Sequence, residues 1–149
     1  MSRVVSVEAS VFSYATEDEK KVERALFNLI PEEVIKPSLR VERLSGHYRD
    51  PLLMIRGRVT DRGLAGEILR RLVEALPPID RERLIQEIGD RVDEANNLYL
   101  RFDKQKAYHG RVLLSEADPI RLKFKFSSCK DHVSAIKSHI ASIIEDLKD

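Results

Sequence analysis

Hydrophobic positions along the chain recur with two periods. Val5, Val7, Ala9 and Val11 alternate with Ser6, Glu8 and Ser10, so residues 3–12 read as a strand with one face on a core. Thr16-Glu17-Asp18-Glu19 then has the form of a capping box, whose hydroxyl and carboxylate satisfy the free amides at a helix start. Val22, Ala25, Leu26, Leu29 and Ile30 follow at helical spacing, and Pro31 helps to end that helix. Residues 39–44 and 52–60 read as two strands, joined by the polar loop 45–51 into a hairpin with a long connection.

Asp61 can cap a helix to about residue 76, with Leu64, Ile68, Leu72 and Leu76 on one face. Asp80 can cap the next, with Leu84, Ile85, Ile88 and Val92 inward. Residues 97–102 form a strand, and Asp103 opens a short helical segment, 104–109, closed by Gly110. Residues 111–114 read as a further strand, with a turn at 116–119. Residues 120–126 alternate most cleanly: Ile120, Leu122, Phe124 and Phe126 against Arg121, Lys123 and Lys125. Ser127 or Ser128 would cap a last helix buried through Val133, Ile136, Ile140, Ile143 and Leu147.

The strands come in adjacent pairs instead of alternating singly with helices. That pattern predicts one α+β domain over residues 1–149, a mostly antiparallel sheet with helices packed on one face. The other sheet face would then be free of helices.

Composition narrows the function. The 149 residues carry 26 Lys or Arg against 25 Asp or Glu, a net charge of +1, and 42% are hydrophobic. A disordered tail and a histone-like polycation are excluded, and no apolar run approaches the ~18 residues of a membrane span. The single Cys129 has no partner for an internal disulfide, and residues 1–10 lack a basic region followed by an apolar signal core. A soluble cytoplasmic protein is expected. The six glycines are scattered, so no phosphate-cradling loop forms, and no nucleophile elbow is present. Cys129 and His132 have a C-x-x-H spacing but supply only two ligands, too few for zinc. Asp103 with His109 or His47 would lack an activated nucleophile. The chain is therefore expected to be no enzyme and to need no cofactor and no metal.

Cations on strands are more informative than cations on helices. Arg121, Lys123 and Lys125 would stand within about 14 Å of one another on one face. Arg56 and Arg58 form a second row, and Arg101 shares a face with Tyr99. Such a surface suits single-stranded RNA, with cations on phosphates and rings on bases. It could equally be neutralised by Glu8, Glu42 and Asp103 on neighbouring strands. Two polar stretches add candidates. Lys104, Gln105, Lys106, Tyr108, His109 and Arg111 follow a strand end, and His47, Tyr48 and Arg49 lie in the hairpin connection. Each also has a plain structural reading, a capped turn with a packed Tyr108 and a hairpin loop with a tyrosine lid.

Residues 15–19, Leu44-Ser45-Gly46-His47-Tyr48-Arg49-Asp50-Pro51 and the run 97–108 with its Asp103-Lys104-Gln105 core together resemble an archaeal family of predicted RNA-binding proteins, often labelled a predicted exosome subunit. The resemblance covers about residues 5–126. It implies a fold similar to the large-subunit ribosomal protein that binds 5S ribosomal RNA, RNA as partner, and exosome subunits as further partners. The expectation is a non-enzymatic RNA-binding protein. Lys104, Lys106 and Arg111 would hold phosphates with help from Arg101 and Lys123, while His47, Tyr48 and Tyr108 would meet bases beside Gln105 and Arg49. The alternative is a protein-interaction adaptor that uses the exposed sheet face or edge without touching RNA. The sequence sets no oligomeric state.

Overall fold

The computed structural model describes residues 3–45, 51–127 and 130–147. Its centre is the alternating first strand, β1 (Val4–Tyr14). Val7, Ala9 and Val11 of β1 are buried on one side, and Glu8, Ser10 and Phe12 stand on the other. β3 (Pro51–Val59) and β5 (Pro119–Phe126) flank β1, β2 (Arg40–Ser45) lies outside β3, and β4 (Asn97–Asp103) outside β5. The order is β2-β3-β1-β5-β4, and every pairing is antiparallel.

Helices cover the apolar side of the sheet. α1 (Glu19–Leu29) presents Val22, Ala25, Leu26 and Leu29. α3 (Arg62–Ala75) presents Ala65, Ile68, Leu69, Leu72 and Val73, and α7 (His132–Asp146) presents Ile136, Ile140 and Ile143. They close over Leu98, Leu100 and Phe102 of β4 and Leu122, Phe124 and Phe126 of β5 in one continuous core. Burying each such side chain contributes about 1.5–3 kcal/mol. The short helices α2 (Glu32–Ile35), α4 (Pro78–Gln86), α5 (Ile88–Arg91) and α6 (Lys104–Tyr108) complete this layer. Gly57 on β3 lets α2 approach: a Cβ there would stand 2.5 Å from Ile35 Cγ1. The α+β fold, with an antiparallel sheet and helices on one face, is as the strand pairing predicts.

Several local expectations are corrected. Asp18, not Thr16, caps α1 by accepting from the Lys20 amide. Glu17 is instead drawn back to the Tyr14 amide and to Lys104. Asp80 caps nothing: Pro77 and Pro78 start α4, and the Asp80 carboxylate accepts from the Leu114 amide at 3.0 Å. Residues 111–114 form no strand; the Asp103 amide donates to the Leu113 carbonyl and the Ser115 amide to the Arg101 carbonyl, which makes the single bridge of Leu114 to Phe102 and leaves the Leu114 amide pointing away from β4, toward Asp80. The long helix expected after residue 80 breaks at Glu87, and Val92 bridges to Leu98. Leu64 is exposed, because α3 is rolled so that Ala65 and Leu69 face inward. Asp131 caps α7; Ser127 instead accepts from the Arg3 amide, and Ser128 lies outside the described residues.

Candidate nucleic-acid interface

Antiparallel register turns scattered strand residues into rows on the helix-free face. Arg40 pairs with Arg56, Arg56 with Ser10, Ser10 with Arg121, and Arg121 with Arg101. One row therefore crosses all five strands, roughly 19 Å at about 4.8 Å per strand, and contains four arginines, one serine and no acid. In the next row Arg58 pairs with Glu8, Glu8 with Lys123, and Lys123 with Tyr99. The face is concave: a hollow of about 740 Å³ is lined by the first row except Arg101, by the second row, and by Pro37, Ser38, Leu39 and Glu42.

Compensation is uneven. Glu8 binds Lys123 at 3.0 Å and Arg58 at 3.7 Å, so the second row is largely neutralised. Arg101 meets Glu116 at 3.4 Å, but that carboxylate is shared with Arg83 and Arg91. No ion pair holds Arg40, Arg56 or Arg121 among the described residues; the Arg121 guanidinium lies 5.5 Å from the Phe12 ring centroid. Of the three acids expected to neutralise the face, Glu8 does so for its own row. Glu42 makes no ion pair among the described residues, and Asp103 is spent capping α6 through the Lys106 amide. Three guanidiniums thus remain ready for an external anion, which Arg binds in a fixed fork.

Tyr99 is held by its hydroxyl, which donates to Asp93 at 2.8 Å. That bond and then burial raise the Tyr99 hydroxyl above its usual range. Burial pushes the Asp93 carboxyl up, but hydrogen bonds from the Asn97 side chain and amide, the Tyr99 hydroxyl and the Ala95 amide prevail and bring it to about 2. Asp93 is thus the structural anchor of the turn into β4.

The residues expected from the sequence divide. Arg101 and Lys123 lie on the open face. Gln105, Lys106 and Arg111 are exposed, but they sit beyond the end of β4 on α6 and the turn after it. Gly110 closes that turn with a φ of +79°. Tyr108 is half-buried there, with Lys21 Nζ 5.9 Å from its ring centroid, and Asn28 of α1 donates to the Ala107 and Tyr108 carbonyls. His47, Tyr48 and Arg49 lie outside the described residues, as does Cys129; Ser45 and Pro51, which bracket the connection, pair at the sheet end shared with Tyr14 and Asp103.

Lys104 requires correction. It is 6% exposed, and its ammonium donates to the Phe12 carbonyl at 2.9 Å, Glu17 at 3.0 Å and Asp118 at 2.8 Å. Its charge and donors are engaged inside the protein, contrary to the exposed position expected of it. Tyr14 and Arg40 are what the sequence reading missed. Glu8, Ser10, Phe12 and Tyr14 keep one period, which was the signal for Tyr14, whereas Arg40 needed the register.

A concave cationic sheet backed by helices defines a nucleic-acid-binding class of protein. The comparisons agree with that class: a family model described as RNA binding matches residues 6–126, and the chain belongs to that family. RNA-binding protein PAB1135 of Pyrococcus abyssi is 34% identical over 125 residues, covering 80% of this chain and 81% of its own. The uncharacterized protein MJ0213 of Methanocaldococcus jannaschii is 31% identical over 144 residues, covering 92% and 95%. The solved structure of Mth689, a DUF54 protein from Methanothermobacter thermautotrophicus, matches with a TM-score of 0.76 at 31% identity, over 95% of this chain and 98% of its own.

Proposed function

We propose that this chain is a single non-enzymatic RNA-binding domain whose open sheet face receives the sugar–phosphate backbone. The observation that carries the proposal is the row Arg40–Arg56–Ser10–Arg121–Arg101, in which two arginine pairs face each other with no acid between them. Lys123 serves at the edge of the row, after release from Glu8. Gln105, Lys106, Tyr108 and Arg111 form a second contact area at the end of β4. The resemblance to predicted exosome subunits suggests RNA degradation or processing as the setting, testable by nuclease-treated co-purification with the exosome.

Binding by four phosphate contacts predicts a slope of log affinity against log salt of about −2.8 on single strands, at about 0.7 per contact. An anisotropy titration with labelled RNA from 50 to 300 mM salt measures it. No binding at the lowest salt overturns the proposal.

The second reading is an adaptor that adds a partner strand to β2. It draws on Val41 and Leu44, which are 44% and 36% exposed on that outermost strand. A complex that survives nuclease treatment and is lost in Val41→Lys favours it.

A further inference from the structure

The helix-free face has a second half beyond the arginine row. Phe12 and Tyr14 stand on β1 two residues apart on the face of Ser10, their ring centroids 6.4 Å apart. Leu52 pairs with both Tyr14 and Leu44, and Met54 with Phe12 and with Glu42, so this half is mostly apolar where the other is cationic, with the Glu42 carboxylate on its outer strand. Arg121 joins the halves: it belongs to the row and lies over the Phe12 ring.

Tyr14 is built to be rigid and yet open. Its amide donates to Glu17, and the Lys104 ammonium lies 5.1 Å from its ring centroid. Burial and then the Asp118 charge raise its hydroxyl pKa, which keeps the group neutral. Even so, Tyr14 remains 42% exposed. An aromatic ring fixed on an ion cluster, next to the Phe12 ring that Arg121 covers, offers a face to a flat partner.

We propose that the open face takes single-stranded RNA, with phosphates along the arginine row and an unpaired base stacked on Tyr14. This deepens the RNA-binding reading above and rests on it. A duplex presents phosphates to the same arginines, but its base faces are stacked inside, so it gains nothing from Tyr14. Stacking on an aromatic platform tolerates any base, and its loss costs affinity about 5- to 150-fold per base. The arginines alone would not discriminate the two forms in this way.

The test compares a labelled 12-nucleotide single strand of mixed sequence with the same strand annealed to its complement, by anisotropy. The wild type should bind the single strand more tightly. Tyr14→Leu, which keeps apolar bulk, should weaken single-strand binding about 5- to 150-fold and leave duplex binding unchanged. Tyr14→Phe should retain wild-type affinity for both, which separates the ring from the fold. Equal affinity for both forms, or an equal loss on both in Tyr14→Leu, overturns the single-strand assignment and leaves the RNA-binding reading standing. Binding to neither form overturns both.

Discussion

Arg56 on β3 stands directly opposite Arg40 on β2, cation against cation, both exposed. Like charges across a ladder destabilise a sheet, and the same row repeats the arrangement with Arg101 opposite Arg121. A sheet selected for stability alone would place an acid or a threonine at one member of each pair. Arg56→Thr should therefore raise stability by ~0.2–1 kcal/mol while weakening RNA binding. Its salt slope should be shallower by about 0.7. Arg121→Thr should gain less, since it also forfeits the contact with Phe12, worth ~0.5–1 kcal/mol. Urea denaturation beside anisotropy decides: an Arg56→Thr protein that is less stable and binds as before would remove the functional reason for the row.

Asp93 sets how acid acts on the sheet edge. Its carboxyl is lowered to about 2 from an ordinary 3.8, so the folded state favours the charged form. That contribution is fully present above about pH 4 and is lost as pH falls through 2. Asp93→Asn should cost ~1–3 kcal/mol at neutral pH, because the Asn97 and Tyr99 donors lose their charged acceptor. The gap to wild type should narrow between pH 4 and pH 2. Denaturation midpoints across that range measure it, and a gap independent of pH would assign the loss to packing alone.

How much was legible in the sequence depended on whether a residue's environment is set locally. β5 was legible because Leu122 and Phe124 alternate with Arg121 and Lys123, and period two fixes the faces. The helix stripes were legible in outline, but α3 rolls through Ala65, whose small side chain gave little signal for facing the core. Lys104 was misread because its own neighbours, Asp103, Gln105 and Lys106, look solvated. Its burial is decided by Glu17 and Asp118, 87 and 14 residues away. The arginine row was half visible: Arg121, Arg56 and Arg101 could each be assigned to a strand face. Their alignment with Arg40 exists only in the register. Asp80 misled as well, since a carboxylate that suits a helix cap is used to hold the Leu114 amide.

At Gly57 the sheet and α2 approach closely, which tests whether α2 is seated on the sheet. A Cβ at this position would stand 2.5 Å from Ile35 Cγ1 and 2.7 Å from Ile35 Cδ1. Ile35 is fully buried, so it has little room to yield. Gly57→Ala should cost ~1–3 kcal/mol by overpacking. Gly57→Ala with Ile35→Val should recover only part of that loss, because Val lacks the Cδ1 that would stand 2.7 Å away but keeps a γ carbon at the 2.5 Å position. A single Gly57→Ala protein as stable as wild type in urea would mean that α2 lifts off without cost.

Lys104 separates the structural account of this molecule from the one its sequence suggests. An exposed phosphate ligand, once neutralised, lowers affinity and makes the salt slope shallower by about 0.7, with stability untouched. A buried cation bound to Glu17, Asp118 and the Phe12 carbonyl behaves otherwise. Lys104→Met should cost ~1–3 kcal/mol, below the usual figure for a buried pair because Glu17 and Asp118 keep some water. Its salt slope should match wild type, since no phosphate contact is removed. Single-strand affinity should fall while duplex affinity holds, because the ammonium beneath Tyr14 is gone and the ring loses its support. Lys104→Glu would add a third carboxylate to the cluster and should unfold the protein more severely. A Lys104→Met variant of wild-type stability and reduced salt slope would show instead that Lys104 reaches RNA, and that the cluster with Glu17 and Asp118 opens to let it do so.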